Sequence, residues 1–395
     1  MLGIKYNIVF LPISLVNGMA ASKRLRNFYI HLKEIKDFSI LNIVHENNVE
    51  NIKTTLEQKN IDDLNYNIIR YNFRRLFAIF KVIYLTNKLL KNHYNNGCIN
   101  ILHNTGYPNI RNIAIILFAK IIGYKLIFDI LEDNSAIYKF KSQIHRLKNA
   151  SSILLFKYIY LFANGIVCIS DFLYKKTCVV AKGRVPIVLI PGSYDERLFI
   201  PDTEKLKSQK GISIFYGGSF GEKDGLEYLF TAFDLLAEDY DLRLIITGKG
   251  SDHDTKNFIS QLHKLKFKDR IEYMGYLNDS EYYKILQEVD IFCMVRVKSN
   301  FANAGFPFKL AEILATGKPV IATKVSVVEQ YLGKNDAFLI DPERTDEIVK
   351  AVKYIIDNPL IAKKVGENGK RVAQKNFSSK KIAKDFMDFI QFEVK

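Results

Sequence analysis

Short runs rich in Ile, Val, Leu and Phe alternate with longer amphipathic stretches along this chain, and the alternation runs through twice. A strand that is apolar on both faces has to be covered on both, and the helices between consecutive strands do the covering. The first series of apolar runs is Ile4–Leu11, Ile99–Leu102, Lys125–Ile130, Gly165–Ile169 and Ile187–Ile190. Helical periods lie between them at Ser22–Ile35, Phe73–His93, Ile110–Ile122 and Phe140–Phe162. The second series of strands is Ile212–Tyr216, Arg243–Thr247, Ile271–Met274, Ile291–Met294, Val320–Ala322 and Phe338–Ile340. Its helices are Leu226–Leu236, Asn257–Leu265, Glu281–Glu288, Lys309–Thr316 and Asp346–Ile356. The polar segment Asp195–Lys210, with Pro201 and no apolar period, separates the two. The pattern predicts an α/β chain of two doubly wound domains, residues 1–195 and 211–375, with a linker at 196–210. Residues 376–395 read as a final helix packing back toward the first domain. In such folds ligands bind at the carboxyl ends of the strands, and a two-domain chain places its site in the cleft.

Charge narrows the partners. Residues 1–200 hold 27 Lys and Arg against 13 Asp and Glu, whereas residues 201–395 hold 30 against 29. A basic first half suits anionic lipid or a phosphorylated substrate. There is no nucleic-acid-binding signature, so nucleic acid is not an expected partner. The four cysteines, Cys98, Cys168, Cys178 and Cys293, form no CxxC pair and have no histidine pair nearby. That spacing excludes a zinc framework and a dense disulfide scaffold, and it fits a reducing compartment. The start, MLGIKYNIVFLPI, reads as a buried strand rather than a signal peptide, and no run of 18 apolar residues occurs. The expected place is the cytoplasm, or the cytoplasmic face of a membrane.

Two segments carry chemistry. In Gly305–Thr323, GFPFKLAEILATGKPVIAT, Pro307 can start a helix on which Lys309 and Glu312 share a face. Gly317 and Pro319 then end it. The helix start and Lys309 can hold phosphates, and Glu312 can accept hydrogen bonds from sugar hydroxyls. A solvated Lys–Glu pair on an ordinary capped helix fits the same residues. In FYGGSFGEKDGLEYLFTAF, residues 215–233, a strand ends in a tight turn of Gly217, Gly218 and Ser219, and Lys223 can reach a diphosphate. Many such turns bind nothing, but this one shares a domain with the first segment.

These segments, with ITGKG at 246–250, MGYLNDSEYYKILQEVDIF and AFLIDPE, occur in an order that resembles glycosyltransferase family 4. The resemblance covers nearly all of the second domain; in the first it rests on Gly18, on CIS at Cys168–Ser170 and on IPGSYDERLF. It implies the GT-B fold, two Rossmann-like domains facing each other across a cleft, with a nucleotide sugar in the second and an acceptor in the first. By that likeness Glu312 holds the nucleotide ribose and Lys309 with Lys223 neutralises the diphosphate. Gly275 and Tyr276 lie near the base, and Gly18, Gly217, Gly218, Ser219, Gly248, Gly305, Phe306 and Pro307 line the donor. Two departures stand out. Ala304 occupies the place of the first of a pair of glutamates, and Gly218 or Ser219 stands where many members have arginine.

On the acceptor side, His103 follows the run Ile99–Leu102, which puts it at a strand's carboxyl end. There it can steady a donor phosphate or sugar hydroxyl, or be satisfied by the local turn. Asp129, Glu132 and Asp133 end the next strand and can meet sugar hydroxyls or cap a helix. Lys23, Arg24 and Arg26 follow the Gly18 loop, where they suit a phosphate-bearing acceptor or a solvated basic face.

The reading is a glycosyltransferase of the hexosyl type that moves a sugar from a UDP- or GDP-linked donor to a glycan or lipid-linked acceptor in surface polysaccharide synthesis. The resemblance suggests retention of configuration. No DxD carboxylate pair lies beside an apolar strand, so no metal and no cofactor beyond the donor are expected. A GT-B sugar-nucleotide epimerase and a non-catalytic glycan-assembly subunit are the alternatives. Phe73–His93 and Lys139–Phe162 interleave basic residues, Arg74, Arg75 and Lys81 among them, with Phe, Leu and Tyr. Such helices suit the headgroup layer of an anionic membrane, or simply cover a sheet.

Overall fold

The computed structural model describes residues 5–11, 20–35, 38–47, 53–61, 64–72, 76–136, 143–199, 211–221, 224–299 and 304–394. The chain forms two compact units, Met1–Pro191 together with Ser379–Lys395, and Gly192–Ser378. The first boundary therefore falls at Pro191, ahead of residue 195. Residues 200–210 of the expected linker lie outside the described residues.

The first unit holds eight strands: β1 (Tyr6–Leu11), β2 (Phe38–Asn47), β3 (Thr55–Ile61), β4 (Leu64–Tyr71), β5 (Ile99–Thr105), β6 (Lys125–Ile130), β7 (Gly165–Cys168) and β8 (Ile187–Leu189). Their order is β3-β4-β2-β1-β5-β6-β7-β8, and all neighbours are parallel except β3 with β4. Every residue of β1 is buried, as its apolar run requires. The sequence reading missed β2, β3 and β4, because Asn42, Gln58, Asn65 and Asn67 interrupt any apolar run there. The strands still bury Ile43, Val44, Tyr66 and Ile68, and a polar bridge crosses them. Arg70 on β4 donates to Glu46 of β2 at 2.6 Å and to Glu57 of β3 at 2.8 Å. The helix Ser379–Phe392 lays Ile382, Phe386, Phe389 and Ile390 against the core of Ile8, Phe10, Phe28 and Ile101. A lone helix of 14 residues is marginal in water. Each such side chain contributes about 1.5–3 kcal/mol on burial, so docking, not propensity, holds the helix.

The second unit holds β9 (Ile212–Gly218), β10 (Leu242–Gly248), β11 (Ile271–Tyr273), β12 (Ile291–Met294), β13 (Val320–Thr323) and β14 (Phe338–Ile340). All are parallel in the order β11-β10-β9-β12-β13-β14. The chain works outward from β9 to β11, then crosses back to pair β12 on the free side of β9. The carboxyl ends of β9 and β12 are thus the topological switch point, where doubly wound sheets bind their ligands. The first sheet reverses in the same way between β1 and β5.

Candidate functional site

Three glycine loops converge at the carboxyl ends of β9, β10 and β11. Gly248, at φ +128°, packs so closely that an added Cβ would lie 1.8 Å from the Gly218 carbonyl oxygen. Its N–H donates to the Gly275 carbonyl at 2.8 Å, and the Gly248 carbonyl accepts from the Tyr273 hydroxyl at 3.2 Å. Only glycine lets these backbones approach, and the result is a floor without side chains. Tyr276 stands beside it, half exposed.

Over this floor comes the helix Phe308–Ala315, which starts directly after Pro307. A Cβ on Gly217 would lie 3.1 Å from the Lys309 ammonium, so that cation sits against the end of β9. It also lies 4.7 Å from the centre of the Tyr282 ring. Glu312, one turn on, is only 6% exposed. A carboxylate so deep has to be paired. Tyr282 donates its hydroxyl to Oε2 at 3.1 Å and Tyr283 to Oε1 at 2.8 Å. Burial first, and the Glu312 charge second, push both phenols well above the usual tyrosine range, so they stay protonated donors. The two tyrosines lie on the helix Asp279–Glu288, which opens with a capping box between Asn278 and Glu281. The sequence reading passed over them, since tyrosines at a half-buried helix face give no signal of a carboxylate partner. The arrangement offers an ammonium at a glycine loop and a fixed carboxylate a turn away, partners for a phosphate and for hydroxyls.

The neighbouring residues divide. Ser219 donates its hydroxyl to Asp224 at 2.7 Å, and its carbonyl accepts from Tyr216 at 2.9 Å. Phe306 turns into its own unit's core, edge-on to Phe377, and Ala304 and Pro307 are buried; Gly305 is partly exposed. Lys223 and Gly18 lie outside the described residues.

In the first unit β5 runs on to Thr105, so His103 lies within the strand rather than past its end. Its ring is fully buried among Phe10, Phe28 and Phe386, and burial takes its pKa down to about 4, which leaves it neutral at pH 7. Arg24 is fully buried too. It donates to the Pro191 carbonyl at 2.6 Å and pairs with Asp129, itself buried, at 3.2 Å. Neither His103 nor Arg24 presents accessible surface to a phosphate or an acceptor; the fold uses both inside the unit. Arg26 is half-buried and Glu132 exposed. Asp133 accepts from Lys176 at 2.6 Å and from the Ser135 hydroxyl at 2.6 Å. Burial works to raise that carboxyl, but the Lys176 and Ser135 hydrogen bonds outweigh it and the net shift is downward. Among the described residues no group of three or more His, Cys, Asp and Glu is placed to hold a metal ion. No helix among them is long and apolar enough to cross a membrane.

Residues 199–372 match the family described as glycosyl transferases group 1. The MMP α-(1→4)-mannosyltransferase of Mycolicibacterium hassiacum is 23% identical over 198 residues, 49% of this chain and 46% of that protein. The chain spans about half the length of the curated relatives it matches first. Among solved structures, sucrose-phosphate synthase from Thermosynechococcus elongatus superposes with a TM-score of 0.75 at 14% identity, over 98% of both chains. Anabaena HepE in complex with UDP-glucose gives 0.72 at 14% identity, over 98% of this chain and 99% of that one. These likenesses show the GT-B fold.

Proposed function

Residues 199–372 being a group 1 glycosyltransferase domain, we propose that the chain transfers a hexosyl group from a UDP- or GDP-linked donor to a glycan or lipid-linked acceptor in surface polysaccharide synthesis, with retention and without a bound metal. The carrying observation is the Lys309 ammonium against Gly217 with the Glu312 carboxylate one turn on. Glu312 accepts the ribose hydroxyls of the donor. Lys309, with Lys223, offsets the charge that grows on the diphosphate as the bond to the sugar breaks. The glycine floor lets the diphosphate reach backbone N–H groups, and Tyr276 borders the base. Arg26, Glu132 and Asp133 are the acceptor-side candidates with the first unit. HepE, solved with UDP-glucose, supports a nucleotide-sugar donor by its fold. The test is a panel of nucleotide sugars offered with glycan acceptors, followed by nucleoside diphosphate release. Transfer is expected with one donor and is expected to persist in EDTA. Epimerised donor without transfer, or no turnover of any donor, overturns the reading; full loss in EDTA restored by one divalent ion overturns its metal-free form.

The first unit is further proposed to dock on the cytoplasmic face of an anionic membrane. On the helix Leu76–His93, Phe77 is 87% exposed and Phe80 and Tyr84 follow at helical spacing, with Lys81, Lys88 and Lys91 exposed along the same helix. Ile121, 82% exposed, ends the helix Ile113–Ile121, which packs beside it. Apolar side chains flanked by lysines suit the headgroup layer, where each basic residue contributes about 1 kcal/mol. In sedimentation with vesicles the chain is expected to pellet with phosphatidylglycerol, to be released by high salt, and to bind less after Lys81→Glu with Lys88→Glu and Lys91→Glu. Equal indifference to phosphatidylglycerol and phosphatidylcholine at low salt overturns it.

A further inference from the structure

The switch point between β9 and β12 carries a second cation. β12 ends at Met294, and Arg296 follows two residues on. Its carbonyl accepts the Thr323 hydroxyl at 2.8 Å, which ties the ends of β12 and β13 together. The preceding peptide presses against the first glycine loop's exit: a Cβ on Gly225, at φ +60°, would fall 2.1 Å from the Val295 carbonyl oxygen. The Arg296 backbone is thereby fixed beside Gly225, directly ahead of the helix Leu226–Leu236.

The Arg296 Nη1 is buried and has no hydrogen-bond partner. The charged or titratable groups that face it are Asp224 and Tyr216. Both are committed to the loop itself. Asp224 Oδ2 accepts from the Ser219 hydroxyl and, at 3.1 Å, from the Gly221 N–H, while Tyr216 donates to the Ser219 carbonyl. Burial holds the Arg296 pKa below its ordinary value, and these two neighbours only partly oppose that. A buried cation with an idle donor is costly, and an arriving anion offsets the cost.

We infer that Arg296 is a ligand of the donor diphosphate, reaching the glycine loop from the end of β12 and supplying there the guanidinium that Gly218 cannot. Successive residues of a strand point to opposite faces. Gly217 meets Lys309 on one face of β9, and Tyr216 on the other belongs to the core and faces Arg296. An anion above the end of β9 is therefore flanked by a lysine from one side and an arginine from the other. The planar fork of arginine matches two phosphate oxygens at once, which an ammonium does not. Naming the anion a nucleoside diphosphate rests on the donor reading; the anion site does not.

The test titrates the full chain with inorganic pyrophosphate, with UDP and GDP, and with uridine and guanosine. Arg296→Gln is expected to weaken pyrophosphate and the cognate nucleoside diphosphate about tenfold or more while leaving the nucleoside unchanged. Wild-type pyrophosphate affinity in the variant, or an equal loss of nucleoside and pyrophosphate, overturns the assignment, as does a wild type that binds no pyrophosphate. If Arg296→Gln does not fold, Arg296→Lys takes its place, with severalfold weaker pyrophosphate binding expected and unchanged binding overturning. A wild type that binds pyrophosphate through Arg296 but neither UDP nor GDP leaves the anion site standing and removes the nucleotide donor.

Discussion

Replacing Arg24 with methionine is expected to lower the unfolding free energy by about 3–5 kcal/mol, read from urea denaturation followed by far-UV circular dichroism. The guanidinium and the Asp129 carboxylate are both fully buried, 3.2 Å apart. Removing the cation leaves a carboxylate in the core whose Oδ2 already lacks a hydrogen-bond partner. It also frees the Pro191 carbonyl, which Arg24 holds at 2.6 Å. Pairing Arg24→Met with Asp129→Leu removes both charges at similar volume and is expected to recover most of the loss, because replacing a buried ion pair by apolar groups is often neutral. That recovery separates an internal strut from a ligand. A single variant of wild-type stability with a weakened acceptor would return Arg24 to substrate binding.

Glu312→Gln is expected to cut kcat/KM for the donor roughly 10- to 150-fold, the kinetic equivalent of about 1.5–3 kcal/mol for a hydrogen bond to a charged group. The amide keeps the carboxylate's shape, so the fold should survive. One of its two positions becomes an N–H₂ group facing a phenol that now donates to Oε1 or Oε2. The ribose then loses both the charge and an acceptor. Donor kinetics beside a thermal melt make the measurement. Unchanged kcat/KM with an unchanged melt would take Glu312 out of the donor site.

Periodicity along the chain determined the elements. β6, β12, β14 and the helix Leu226–Leu236 fall at the residues their apolar patterns mark, because a buried parallel strand or a covering helix needs that pattern locally. The glycines that end β9 and β10 were legible for the same reason, since a close backbone approach accepts no other residue. Which side chains meet was decided by the sheet order alone. In β2, β3 and β4 polar residues interrupt the buried apolar positions, and Arg70 bridges Glu46 and Glu57 across the strands, so no unbroken apolar run marks them. His103 entered the core because β5 runs three residues past its apolar run, and in a strand each position sets the face a side chain takes. Tyr282 meets Glu312 across 30 residues, and Arg24 meets Asp129 across 105. Arg296 comes to the glycine loop only because β12 crosses back to the free side of β9. Local pattern fixes where a chain turns into strand or helix, but it carries no term for partners that distant, and those partners decide which side chains are brought together.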